Sequence, residues 1–171
     1  MLKNKDVKEL KDKLTQQFGE ENVNSVLAGK PTIELLKLDN HEELLSVNDK
    51  IIFWLSNDRY IPVMTLLIDP KIAFTMRYIT VDKGAIPFVS KGADVMRPGI
   101  LKIDPLIKKN DLVKIQDSQY NRALAVGEAL YDAAEMEAME KGKVIAHKHG
   151  VSDEVWSFAR DFKWNNISQK W

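Results

Sequence analysis

Between Val81 and Leu101 the sequence reads V-D-K-G-A-I-P-F-V-S-K-G-A-D-V-M-R-P-G-I-L. Three glycines (Gly84, Gly92, Gly99), two prolines (Pro87, Pro98) and the cations Lys91 and Arg97 fall within 21 residues. No long helix or long strand tolerates that density of special backbone positions. The pattern predicts a short helix capped by Asp82 and stopped by Gly92, then a strand over Ala93–Met96 and a turn at Arg97–Pro98–Gly99. Pro87 lacks an amide for a helical bond, so the helix either has an irregular first turn or begins late. A glycine turn after a helix offers amides with no side-chain bulk, an edge that a phosphate or base can approach.

The segments after this stretch are short and alternate in polarity. Leu112–Ile115 reads as a half-buried strand, and Ala123–Leu130 as a strand interrupted by Gly127, a bulge or a site of close approach. Asp132 and Glu135 have the spacing of a capping box, opening a helix that ends at Lys141–Gly142. Val144–His149 and Glu154–Phe158 read as further strands. Short strands broken by two helices predict a small barrel rather than a parallel sheet.

The first half differs. Val7, Leu10, Leu14 and Phe18 form one helical stripe, with Asn4 as the cap and Gly19 as the stop. A second short helix covers Val23–Leu27. Ile33–Leu38 is a strand, Leu44–Val47 fits helix or strand, and Ile51–Leu55 and Tyr60–Ile68 form a hairpin across Ser56–Arg59. Pro62 confines the early part of the second hairpin strand to an edge or a bulge. The expected fold class is therefore α+β, a small N-terminal α/β domain followed by a two-helix β-barrel.

Composition excludes several function classes. The chain has 171 residues and no cysteine, which removes disulfides and thiolate metal sites and fits a cytoplasmic setting. No apolar run is long enough to span a bilayer, so no membrane partner is expected. The formal net charge is zero, but residues 77–114 carry eight basic and four acidic side chains, a local +4. No Gly-x-Ser-x-Gly elbow or Walker loop occurs. His147 and His149, two apart on a strand, would share a face but lack a third ligand of clear spacing. No enzyme, metal or cofactor is expected.

The ordered blocks V-D-K-G-A-I-x-F-V-x-x-G-A-D-V-M-R-P-G-I, N-D-L-V-K-I and A-L-A-V-G-E-A-L followed by K-G-K-V resemble the PUA domain of pseudouridine synthases and archaeosine transglycosylases. Together they cover about residues 75–160. With the preceding α/β unit, the chain resembles the malignant T-cell-amplified sequence family and its archaeal relatives. The resemblance implies three segments: a pre-PUA domain over 1–74, a PUA-type β-barrel over 75–160 and a tail over 161–171. The tail carries Trp164 and Trp171, which could dock on the N-terminal domain or on a partner. Two positions depart from the family. Pro87 replaces a residue that is usually polar or basic, and Asn110 stands where glycine is common, a substitution that a left-handed backbone tolerates.

The resemblance implies a non-enzymatic, translation-associated RNA-binding protein. Its partners would be transfer RNA or ribosomal RNA, the small ribosomal subunit and a translation-factor partner of the density-regulated type. An RNA-targeting subunit of an RNA-modification or ribosome-assembly complex is the alternative. Carried over residue by residue, the RNA-facing positions are Lys91, Gly92, Ala93, Arg97, Pro98 and Gly99, with Lys148 on the final strand.

Overall fold

The computed structural model describes residues 2–162. The tail tryptophans Trp164 and Trp171 lie outside the described residues. The described residues divide into two compact units, one of residues 2–75 with 158–162, the other Met76–Ser157.

The first unit opens with α1 (Asn4–Phe18) and α2 (Glu20–Val26). Gly19 separates them at φ +85°, a conformation that suits glycine; its amide bonds to Thr15 O, and its carbonyl accepts the Val23 amide. Lys3, not Asn4, holds the N-cap position, so Asn4 lies inside the first turn. β1 (Ile33–Lys37), β2 (Glu43–Val47), β3 (Lys50–Ser56) and β4 (Arg59–Pro62) form an antiparallel sheet in sequence order. Asn48–Asp49 and Asn57–Asp58 each have positive φ at both residues, the conformation of type I′ hairpin turns. Phe53 stacks on Phe18 at 5.2 Å and meets Phe74 edge-on at 5.9 Å, at the centre of the apolar core between sheet and helices.

The hairpin strand expected over Tyr60–Ile68 ends at Pro62, and Met64–Leu67 forms a helical turn, α3. β4 is an edge strand, as Pro62 requires. The Gln17 side chain donates to Tyr60 O and accepts from Tyr60 N, occupying that edge.

The second unit contains β5 (Tyr78–Val81), α4 (Ile86–Ser90), β6 (Val95–Met96), a 3-10 turn (Arg97–Gly99), β7 (Ile100–Ile103), β8 (Leu112–Asp117), β9 (Ala123–Ala129), α5 (Ala133–Ala138) and β10 (Lys143–Gly150). Six strands run in the order β6-β10-β9-β8-β5-β7, with β5 and β8 parallel and every other pair antiparallel. The two end strands, β6 and β7, are joined directly by the 3-10 turn, so the sheet curls into a near-closed barrel around Ile79, Val81, Val95, Val113, Ile115 and Ile145. A Cβ on Gly127 would lie 2.3 Å from Ile145 Cγ2 and 2.9 Å from Ala146 O, so the glycine is a site of close approach.

Four further expectations need correction. β7 was not anticipated. α5 ends at Ala138, short of Lys141–Gly142. Asp132 keeps the N-cap position, but its carboxylate accepts the Lys109 amide at 2.8 Å instead of capping the helix. Glu154–Phe158 is not a strand but the start of α6 (Glu154–Asp161), because Asp153 Oδ1 accepts the Trp156 amide as an N-cap. Asn110 has φ +73°, so the turn survives without glycine.

Candidate nucleic-acid interface

Asp82 begins the site. Its amide donates to Gly99 O at 2.9 Å, tying the end of β5 to the 3-10 turn, and its Oδ1 accepts the Ala85 amide at 2.8 Å. α4 then starts late, at Ile86, and Pro87 falls in its first turn, where an amide would have no intrahelical acceptor. Gly92 ends the helix at φ +93°. The Ala93 amide bonds to Phe88 O and the Gly92 amide to Val89 O, the two bonds of a Schellman ending. Lys91 N also donates to Phe88 O. The amides of Lys91, Gly92 and Ala93, expected to be free for a ligand, are therefore spent on the helix end. Lys91 itself is exposed there.

The strand that follows is short because side chains take over its pairing. Asp94 Oδ1 accepts the His147 amide at 2.7 Å, and Oδ2 lies 3.4 Å from Lys143 Nζ. The His147 amide, with Lys143 adding to it, holds the Asp94 carboxyl below the usual carboxylate range. Arg97 turns inward. Its Nε donates to Met136 O at 2.6 Å and its Nη1 to Ile100 O at 3.2 Å, with Glu137 3.6 Å from Nη2. The guanidinium thus braces α5 against the barrel seam.

Between α4, β6 and the 3-10 turn lies a groove of about 350 Å³. Phe88, Met96, Asp82, Asp94, Pro98 and Gly99 face it. Phe88 is 68% exposed and Met96 50%, high for large apolar side chains in a folded unit. One oxygen of Asp82 remains unspent on protein donors among the described residues. Of the positions expected at the interface, Pro98 and Gly99 line the groove. Lys91, Gly92 and Ala93 form the helix end beside it, and Arg97 supports it from within. Lys148 is exposed on β10 at a register shift between His147 and His149.

That shift also corrects the histidine expectation. The bulge at Lys148 breaks the alternation, so His147 and His149 differ in environment. His149 is fully buried, with Nδ1 2.7 Å from Asp153 Oδ2. Burial opposes the Asp153 charge, but the His149 ring and the Trp156 and Gly150 amides outweigh it and hold the carboxyl below its usual range. His147 is half-buried, and burial holds its ring below the ordinary histidine range. Among the described residues no group of three or more His, Asp or Glu side chains could hold a metal ion, and no helix is long and apolar enough to cross a membrane.

Phe88, Met96 and Asp82 were not anticipated as groove residues. The sequence carries no signal for this, because in a helix of five residues Phe88 and Val89 are only about 100° apart and nothing local decides which of them is buried.

Residues 77–151 match the PUA domain family and residues 1–69 match the Pre-PUA-like domain family. The chain is 32% identical to Translation machinery-associated protein 20 of Saccharomyces cerevisiae, over 88% of this chain and 86% of that one. It is 31% identical to Malignant T-cell-amplified sequence 1-B of Xenopus laevis, over 91% and 88%. The crystal structure of a hypothetical protein from Pyrococcus horikoshii superposes with a TM-score of 0.78 at 34% identity, covering 92% of this chain and 97% of that one.

Proposed function

Because the chain belongs to the family that joins a Pre-PUA-like domain to a PUA domain, with Malignant T-cell-amplified sequence 1-B and Translation machinery-associated protein 20 among its members, we propose that it is a non-enzymatic RNA-binding protein of translation. Its RNA is a transfer RNA, or ribosomal RNA of the small subunit, and a translation-factor partner acts with it. The groove between α4 and β6 takes the unpaired end of the RNA. The observation that carries this reading is the exposed Phe88 beside the unspent oxygen of Asp82. An aromatic face stacks on an unpaired base, and a carboxylate accepts from the exocyclic amine of adenine, cytosine or guanine. Lys91, exposed at the helix end, supplies a phosphate contact.

Fluorescence anisotropy with a transfer RNA ending in CCA, and with the same RNA trimmed of those three nucleotides, tests the groove. The intact RNA should bind at least about fivefold more tightly, since stacking of one base contributes about 1–3 kcal/mol. Phe88→Ala with Lys91→Glu should remove that difference. Equal binding of trimmed and intact RNA by the wild-type protein defeats the groove reading.

A further inference from the structure

On the parallel pair β5–β8, Ile79, Val81, Val113 and Ile115 point into the barrel core, so by alternation Tyr78, Thr80, Lys114 and Gln116 lie on the opposite face, where Thr80 and Gln116 are themselves buried and only Tyr78 and Lys114 remain partly open. Tyr78 is paired with Lys114 on one side, and on the other Lys102 of β7 is paired with Thr80, two residues along from Tyr78 on the same face. Two strands thus deliver two ammonium groups to one ring. Lys102 Nζ lies 5.3 Å from the Tyr78 ring centroid and Lys114 Nζ 6.0 Å from it.

This cluster is unusual because no ion pair neutralises it. Lys114 is half-buried, and burial pushes its amine below the ordinary lysine value with only Tyr78 opposing. Neither lysine forms an ion pair with a carboxylate among the described residues; Lys102 is fully exposed, and its amine is held above the ordinary lysine value by the Tyr78 hydroxyl and, more weakly, by the charge of Asp104. Partly burying an ammonium with no counter-charge is a cost that folding alone does not repay. The cost makes sense where an anion completes the site.

We propose that the outer face of β7, β5 and β8, centred on Tyr78, Lys102 and Lys114, is a second contact strip for the phosphodiester backbone of the bound RNA, separate from the groove. The proposal rests on the reading of this unit as RNA-binding. Charge selects the occupant. Half of the local +4 excess of residues 77–114 comes from these two cations, which no acid offsets by an ion pair. A protein partner would need an apolar anchor at the centre of the patch; the exposed Leu101 lies off that centre, at the β7 register shift, and the half-buried Tyr78 ring is covered by ammonium groups. A strand of phosphates needs only the charges.

The test uses the full chain with two probes: the transfer RNA ending in CCA, and a six-nucleotide RNA ending in CCA that can fill only the groove. Lys102→Gln with Lys114→Gln should weaken transfer RNA binding roughly tenfold near 0.1 M salt and flatten the log–log salt slope by about 1.4, since each phosphate left without its cation removes about 0.7. Binding of the short RNA should change by less than about twofold. Lys114→Met should melt at or above the wild-type temperature while still losing transfer RNA affinity. An unchanged salt slope overturns the strip, as does equal weakening of both probes. A poly-glutamate peptide that binds the wild type more tightly than transfer RNA does at the same salt, and loses that binding in the double variant, would assign the strip to an acidic protein and overturn it also. Failure of the groove reads differently, because the Phe88 and Lys91 substitutions would then leave the short RNA unaffected while the strip variants still lose transfer RNA.

Discussion

The N-terminal sheet pairs every strand with its neighbour in sequence, β1-β2-β3-β4, whereas the barrel interleaves its strands as β6-β10-β9-β8-β5-β7 and needs a parallel pair. Local pairing lets turns set the register. Asn48–Asp49 and Asn57–Asp58 supply the positive φ values that type I′ turns require, and each strand follows from the one before. In the barrel only β8–β9 is a hairpin, its turn held by the Asp117 carboxylate, and the remaining pairs have no tight turn to set them. The barrel is fixed by points distant in sequence: Gly127 against Ile145, Arg97 on the carbonyl of Met136, and the Asp94 carboxylate on the amide of His147. One unit distributes its specification along the chain, and the other concentrates it.

The largest expected effect falls on such a point. Gly127→Ala puts a methyl group 2.3 Å from Ile145 Cγ2 and 2.9 Å from the Ala146 carbonyl oxygen. Either β9 and β10 separate or Ile145 leaves its well, at a cost of about 3 kcal/mol. Urea unfolding measures it. A loss under about 1 kcal/mol would mean that the barrel absorbs a methyl at its tightest crossing and is not concentrated in this sense.

This contrast explains how much was legible in the sequence. The stripe of α1, the Ser56–Arg59 hairpin and the helix–glycine–strand order after Asp82 are local patterns, and each is present in the structure. β7 was missed because Ile100–Ile103 has meaning only against β5, some twenty residues away. Glu154–Phe158 is a short apolar-rich run that suits a strand, but Val155, Ala159 and Phe162 fit a helical period, and the Asp153 cap decides between them. In the candidate site the glycine turn and its neighbours were readable. What was not readable was the Schellman ending that consumes their amides, or the inward turn of Arg97, since both depend on partners fixed by tertiary structure.

A smaller effect belongs to the distributed side. Asn57 has φ +50° within its turn, and alanine there costs about 1 kcal/mol, because a Cβ without a short polar side chain disfavours the left-handed region. Asn57→Gly should stay within about 0.5 kcal/mol of wild type, since glycine adopts the conformation freely. Urea unfolding of both variants beside Gly127→Ala sharpens the comparison. If Asn57→Ala costs as much as Gly127→Ala, the local turn is as decisive as the distant crossing and the two units do not differ in kind.

The smallest effect is a pH dependence confined to the barrel. His147 lies between Asp153, Asp94 and His149, with its Nδ1 buried and without a hydrogen-bond partner among the described residues. Burial favours the neutral ring, so the unfolded chain takes up this proton at higher pH than the folded one does. The contribution is therefore complete above the ordinary histidine value near 6.5 and is lost as pH falls from there toward the depressed folded value. Asp94 and Asp153 are held below the usual carboxylate range, so their own losses come at lower pH and do not overlap this window. Stability measured by urea unfolding should decline shallowly from about pH 7 to about pH 5 in the wild type and less in His147→Gln. His149 stays in place in both proteins, so the difference between their slopes isolates His147, and identical slopes would show that protonating this ring costs the barrel nothing.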